Sequence, residues 1–440
     1  MNTNDRAITA LVMVAHGMVH TYELSIPIFV ALWLLEFSTI DLGIVTLEVT
    51  TATLGVVVTA GYGLFGLGAL PGGILVDRLG SRRLITVCLL GMAGSFALLA
   101  VAPGVTAITL ALVLWGVSAS VYHPAGLSLI SKGVADRGTG FAYHGIAGNV
   151  GIGVGPLVAA TSLLFLEWRT VAAVLAVPAV IAALYASRAD IDPQAAVDSD
   201  SAAGDGGDSK ADAGVDSLGE FVAESRTLFA GSFALVFLVV MCSGLFYRGF
   251  LTFLPELLGR IEGFDPIPVA SLVPEALRSL LGVQASGGET LAPGDYFYSG
   301  LLLVGVVGQY VGGKLTDRFP VEYGLAAGFS GLAVLALVFL PAASLGLGPL
   351  AVVGVFMGMF LFVVQPLYQA TVAEYTPAGT RGLSYGYTYL GVFGVGALGG
   401  TVAGVILEYL SEPALFLTLA GFATVGAATG LYLGRKNARP

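Results

Sequence analysis

Gly72-Gly73-Ile74-Leu75-Val76-Asp77-Arg78-Leu79-Gly80-Ser81-Arg82-Arg83 decides how this chain is read. A shortened copy, Gly312-Gly313-Lys314-Leu315-Thr316-Asp317-Arg318, returns in its second half. Each copy closes an apolar run of membrane-spanning length, the second such run of its half. Arg137-Gly138 and Arg381-Gly382 repeat in the same way ahead of the fifth run, which sets Tyr143 opposite Tyr387. Several matches in one order and spacing mark a duplicated unit, as in carriers built from internal repeats.

Outward from this repeat, composition names the solvent. The 440 residues are 56% hydrophobic and 11% charged, with mean hydropathy +0.87, whereas a soluble domain carries about a quarter charged residues. Apolar runs lie near 8–35, 53–76, 84–102, 105–131, 139–166 and 169–187, then near 228–258, 294–316, 323–341, 346–372, 379–407 and 411–434. Runs of this length cross a hydrocarbon layer of about 30 Å as helices. None shows the alternation that barrel strands require, so the backbone must satisfy itself helically. The fold class is therefore all-α: twelve transmembrane helices as two pseudo-symmetric six-helix bundles. The many glycines sit inside the runs, where small residues let helices pack closely. The first run is too long for a signal-peptide core and is read as the first span.

Residues 1–187 form the first bundle and 228–440 the second, with an outside loop at 259–293 in which 269–281 has helical spacing. Between the bundles, 188–227 is an acidic linker that cannot bury enough apolar surface to order itself. With the N-terminus inside, fifteen of nineteen Lys and Arg residues fall on one side. That bias makes both termini and the linker cytoplasmic, in the cell membrane. Cys88 and Cys242 are too far apart to suggest a ligand pair. Gly61-x-Gly63-x-x-Gly66 and Gly394-x-Gly396-x-x-Gly399 lack the strand-to-helix context of a dinucleotide site, and Leu315 replaces the hydroxyl of a phosphate loop after Gly313-Lys314. No cofactor, metal or nucleic-acid partner is expected.

The Gly73-to-Arg83 segment resembles the loop between spans two and three of the major facilitator superfamily, and the resemblance extends over the whole chain. It implies a carrier that rocks two bundles about a central site. Gly73, Asp77, Arg78, Gly80, Arg82, Arg83, Arg137, Asp317 and Arg318 are then the cytoplasmic gating motif. In this reading Gly73 allows close helix approach, and Asp77, in the turn after it, clamps onto Arg137. Gly151-x-x-x-Gly155-Pro156 is similar to a motif of proton-coupled drug antiporters, with Ala159 and Ala160 where glycines usually follow. Gly148-Asn149-x-Gly151 and Tyr122-His123-Pro124 resemble the fosmidomycin-resistance branch of exporters.

Ionisable residues inside spans are costly and mark candidate sites. His16, His20 and Glu23 fall within one face of span one, and His123 and His144 lie in spans four and five. These five are the proton-coupling candidates, since a histidine beside a carboxylate suits proton exchange. Arg248 cannot shed its proton, and aligning Pro27 with Pro255 sets it opposite His20. Its partner is either an anionic substrate or Glu23. Asn149, Tyr143, Gln365, Gln369 and Tyr387 complete the substrate-binding candidates.

The function expected is secondary active transport, in a monomer, of a small organic molecule, anionic or amphipathic, by proton-coupled export. The alternatives are proton- or sodium-coupled uptake of an organic anion, a membrane-embedded enzyme, or a nontransporting sensor. The enzyme would need a nucleophile or metal cluster that no spacing shows beyond the His and Glu face of span one.

Overall fold

The computed structural model describes residues 1–197, 218–268, 271, 290–377 and 380–437. Helix α1 (Thr3–Glu36) opens on a capping box, in which the Asn2 side chain accepts from the Asp5 amide and the Asp5 carboxylate from the Asn2 amide. A two-stranded hairpin, β1 (Thr39–Asp41) and β2 (Thr46–Glu48), leads into α2 (Thr51–Leu67), α3 (Ala69–Leu79), α4 (Ser81–Ala100), α5 (Val105–Ser120), α6 (Tyr122–Gly133), α7 (Arg137–Ser162) and α8 (Trp168–Arg188). The second half holds α9 (Leu218–Phe229), α10 (Phe233–Leu251), α11 (Leu254–Gly259) and the short pair β3 (Ile267–Pro268) and β4 (Thr290–Leu291). It continues with α12 (Pro293–Thr316), α13 (Val321–Ser344), α14 (Leu347–Tyr375), α15 (Arg381–Tyr389), a π-helical segment (Leu390–Val395), α16 (Gly396–Tyr409) and α17 (Glu412–Asn437).

Every expected span is present as helix. Among the described residues, ten helical spans are long and apolar enough to cross a membrane, and α2 with α3 makes a further one bent by 40°. The 24-residue α12 takes the eighth place. Ordered helix in the second half begins at Leu218, inside the stretch assigned to the linker. Residues 198–217 and the helical spacing at 269–281 lie outside the described residues, apart from Ser271.

The two halves use the same packing. α7 lies on α1 as α16 lies on α10, α5 lies on α2 as α14 lies on α12, and α8 pairs with α4 as α17 pairs with α13. The halves meet where α2 runs along α16 and α7 along α12. Lipid gives no hydrophobic drive for such contacts, so close van der Waals approach must supply it. At Gly66 a methyl group would sit 2.0 Å from the Gly394 amide nitrogen, and at Gly151 one would sit 2.2 Å from the Gly17 carbonyl.

The repeated glycine pairs divide their labour in a way the residue pattern does not announce. A methyl on Gly72 would meet Pro124 at 2.9 Å and one on Gly312 the Val363 carbonyl at 2.5 Å, while Gly73 and Gly313 face open space. Close approach therefore belongs to the first glycine of each pair, and the assignment to Gly73 is corrected. The chain also remains helical through Asp77 to Leu79 and turns only at Gly80, whose φ of +80° favours glycine. Asp77 is thus part of a helix, and its side chain, with the clamp onto Arg137, lies outside the described residues. Arg82 ties α4 to α8 within one half, donating from Nε to the Ala186 carbonyl at 3.0 Å and from a terminal nitrogen to the Ser187 carbonyl. It caps the last turn of a helix, where a cation is favoured. Arg78, Arg83, Asp317 and Arg318 are exposed.

Gly72→Leu should lower unfolding stability in detergent by about 1–3 kcal/mol through overpacking against Pro124. Gly73→Leu should stay within about 0.5 kcal/mol of the parent. Denaturant unfolding of the two variants checks this, and the reverse order would contradict it.

Candidate functional site

Pro27 sets the geometry. Without an amide hydrogen it cannot bond the carbonyl four residues back, which leaves the Glu23 carbonyl free within α1. Tyr62 of α2 donates its hydroxyl to that oxygen at 2.6 Å, and Tyr298 of α12 donates to the neighbouring Leu24 carbonyl at 3.0 Å. Both halves thus grip α1 at one level.

At that level the Glu23 carboxylate, 1% exposed, is bonded on one oxygen by the Arg248 guanidinium and on the other by His20 Nδ1. Arg248, 2% exposed, comes from α10 in the opposite half. Its guanidinium carbon lies 3.7 Å from the Tyr62 ring centre and 5.5 Å from that of Tyr247, and its Nε has no partner among the described residues. A buried guanidinium without a counter-charge is prohibitive, so one carboxylate and two aromatic faces replace its hydration.

The chain of contacts continues along α1. His20 Nε2 lies 3.0 Å from His16 Nε2, and His16 Nδ1 lies 2.8 Å from the His144 carbonyl. His16 fits between its neighbours because α7 presents Gly148 beneath it, where a methyl would come within 2.4 Å of the ring. The His144 ring stacks on His16 at 3.8 Å, and its Nε2 has no partner among the described residues. His123 of α6 stands edge-on to His16 at 5.3 Å and lies 4.8 Å from Tyr389.

Proton positions follow from the acceptors. A carbonyl can only accept, so His16 donates from Nδ1 and presents a lone pair at Nε2. His20 then donates from Nε2, while its Nδ1 faces a carboxylate oxygen. The chain is complete only with one proton more than a neutral imidazole and an ionised carboxylate hold between them.

All five proton-coupling candidates and Arg248 therefore meet, at the junction of α1, α6, α7 and α10. The remaining substrate candidates do not join them. Tyr143 is 44% exposed, Gln369 is exposed, and Asn149 and Gln365 are half-buried without a polar contact to this group. Tyr387 donates to Ser225 at 2.9 Å or accepts from it and packs on Phe229 at 4.9 Å, so it belongs to the contact with α9. Tyr62, Tyr298 and Tyr389 are the residues that sequence reasoning passed over. Pro27 signalled that a donor was needed, without indicating which one.

The family model of the Major Facilitator Superfamily matches residues 9–288 and 295–440. The chain belongs to that superfamily. It is accordingly a multi-pass membrane protein of a transporter family, in line with its helices. The peptide transporter POT superposes with a TM-score of 0.71 at 15% identity, covering 98% of this chain and 95% of that one. The nucleoside transporter NupG gives 0.69 at 14%, covering 97% and 99%. A bacterial homologue of the human lysosomal transporter Spinster gives 0.67 at 14%, covering 99% and 98%. These likenesses concern the fold. The puromycin resistance protein of Streptomyces alboniger is 34% identical over 116 residues, which span 26% of this chain and 23% of that protein.

Removing either partner of the Glu23–Arg248 pair should cost about 3–5 kcal/mol of stability, because the other charge is stranded in the interior. Replacing both with apolar residues, Glu23→Leu with Arg248→Met, should recover most of it. A double-mutant cycle on the purified protein measures this, and simple additivity would show that the two charges are not coupled.

Proposed function

We propose that this chain is a proton-coupled exporter of a small anionic or amphipathic organic molecule, working by alternating access. The carrying observation is the buried Glu23–Arg248 pair, which joins the two halves at the level of the histidine cluster. In a rocking-bundle carrier that junction is where a solute and a coupling ion can act on the same contact.

An anionic substrate competes with Glu23 for the guanidinium. The released carboxylate, beside His20, is then free to exchange a proton with the side to which the site opens. Transfer of the substrate restores the pair and resets the cycle. The gate on the side of the termini, taken as cytoplasmic, is assigned to Gly73–Arg83 and to Asp317 with Arg318. Orientation with both termini inside, in the cell membrane, follows from the bias of basic residues. Likeness to a resistance protein over part of the chain favours export over uptake.

The test uses protein in liposomes with an imposed pH gradient and two probes, fosmidomycin as the anion and puromycin as the amphipath. Wild type should move at least one of them against its gradient, with proton counterflow reported by an entrapped dye. Arg248→Gln should lose binding of the anion, and Glu23→Gln should keep binding while losing the response to a pH step. If Glu23→Gln still concentrates probe after that step, Glu23 is not the coupling group. Accumulation in the direction of proton flow would assign uptake instead.

A further inference from the structure

Four histidines occur in the whole chain, and all of them lie in this one cluster. Three, His16, His20 and His123, bring their ring nitrogens within 4.8 Å of one another. Sequence spacing offered no metal-ligand set beyond the His and Glu face of span one, because the third donor comes from α6, more than a hundred residues beyond the first two. Packing of α6 on α1 supplies what the spacing could not show.

The surroundings of the two α1 rings are those of metal-binding imidazoles. A ligating histidine almost always donates its other ring N–H to a carbonyl or a carboxylate, which fixes the tautomer and aims the lone pair. His16 Nδ1 is held by the His144 carbonyl at 2.8 Å, and His20 Nδ1 by the Glu23 carboxylate. With each Nδ1–H donated outward, a cation that displaces the proton shared between His20 Nε2 and His16 Nε2 meets two lone pairs converging across 3.0 Å. Two nitrogens about 2.1 Å from a tetrahedral zinc ion stand about 3.4 Å apart, so the pair needs to open only slightly. His123 forms no hydrogen bond among the described residues and is 5% exposed, a buried donor with its nitrogens uncommitted.

We propose that His16 Nε2, His20 Nε2 and a ring nitrogen of His123 bind one borderline divalent cation of the zinc class. All-imidazole donation suits Zn²⁺, Cu²⁺ and Ni²⁺ and excludes Mg²⁺ and Ca²⁺, which require oxygen ligands. Three protein ligands leave a fourth position open. Glu23 and Arg248 already cancel one another, so the ion brings its full charge into an apolar interior. The open position therefore takes an anion, which lowers the cost of burying that charge. This site depends on the donor geometry and not on the transport cycle.

The test is Co²⁺ binding to the full-length, untagged, chelator-washed protein in nanodiscs, followed by equilibrium dialysis and ligand-field absorption. Removal of any purification tag matters, since added histidines would compete. One Co²⁺ per chain is expected, with the intense visible bands of low coordination number, displaced by Zn²⁺. His16→Gln and His123→Gln should each weaken binding at least tenfold. The weak bands of hydrated Co²⁺ in wild type would overturn the site, whatever the yield of the variants. So would binding that neither substitution weakens. Proton-driven flux of the probes above is a separate readout, so failure of one proposal leaves the other standing.

Discussion

One ion pair in a medium without water governs the centre of this molecule. Glu23 and Arg248 are each almost fully buried, and they belong to different halves of the chain. Neither charge can be left alone in an apolar interior, so the pair acts as a constraint on the relative position of two bundles as much as on two side chains. The aromatic faces of Tyr62 and Tyr247, the carbonyls gripped by Tyr62 and Tyr298, and the His20 contact are arranged around that constraint. Anything that relieves the pair, such as an anion or a proton, loosens the junction of the halves by the same act.

Glycine carries the complementary role. Where α2 meets the π-helical segment and α16, backbones approach so closely that a single methyl group would collide with main-chain atoms. Contacts of this kind are strong when made and lost quickly with small displacement, since dispersion falls steeply with distance. Such an interface separates cleanly instead of deforming by degrees. The buried polar junction and the glycine-lined seam therefore divide the work of holding the halves, one by charge and the other by shape.

The fold was legible in the sequence because a bilayer allows few solutions: long apolar runs must be helices, and the duplicated Gly-Gly-x-Leu-x-Asp-Arg segment names the repeat. The charged centre was legible for a related reason, since ionisable residues inside spans are rare and have few partners to choose from. His16, His20, Glu23 and Arg248 were found by that rule alone. Aromatic and amide residues follow no such rule. Tyr387 and Tyr62 look alike as letters in apolar runs, yet one packs against α9 and the other holds the Glu23 carbonyl. Gly72 and Gly73 could not be told apart either, because which of two adjacent glycines meets a neighbour depends on the rotation of the helix. Proline was the exception that could have been used further: Pro27 guarantees an unpaired carbonyl at Glu23, and a nearby donor had to exist.

The π-helical turn at Leu390–Val395 divides the eleventh span into two rods joined by a segment with one surplus residue per turn. Closing this surplus into regular α-helix rotates the rod on one side by about 100° and advances it by about 1.5 Å, one residue's share of the helix. Tyr389, beside His123, and Gly394, against Gly66, stand at opposite ends of this joint. The eleventh span is thereby built like a screw coupling, able to turn one end in the polar centre while the other stays seated on its neighbour.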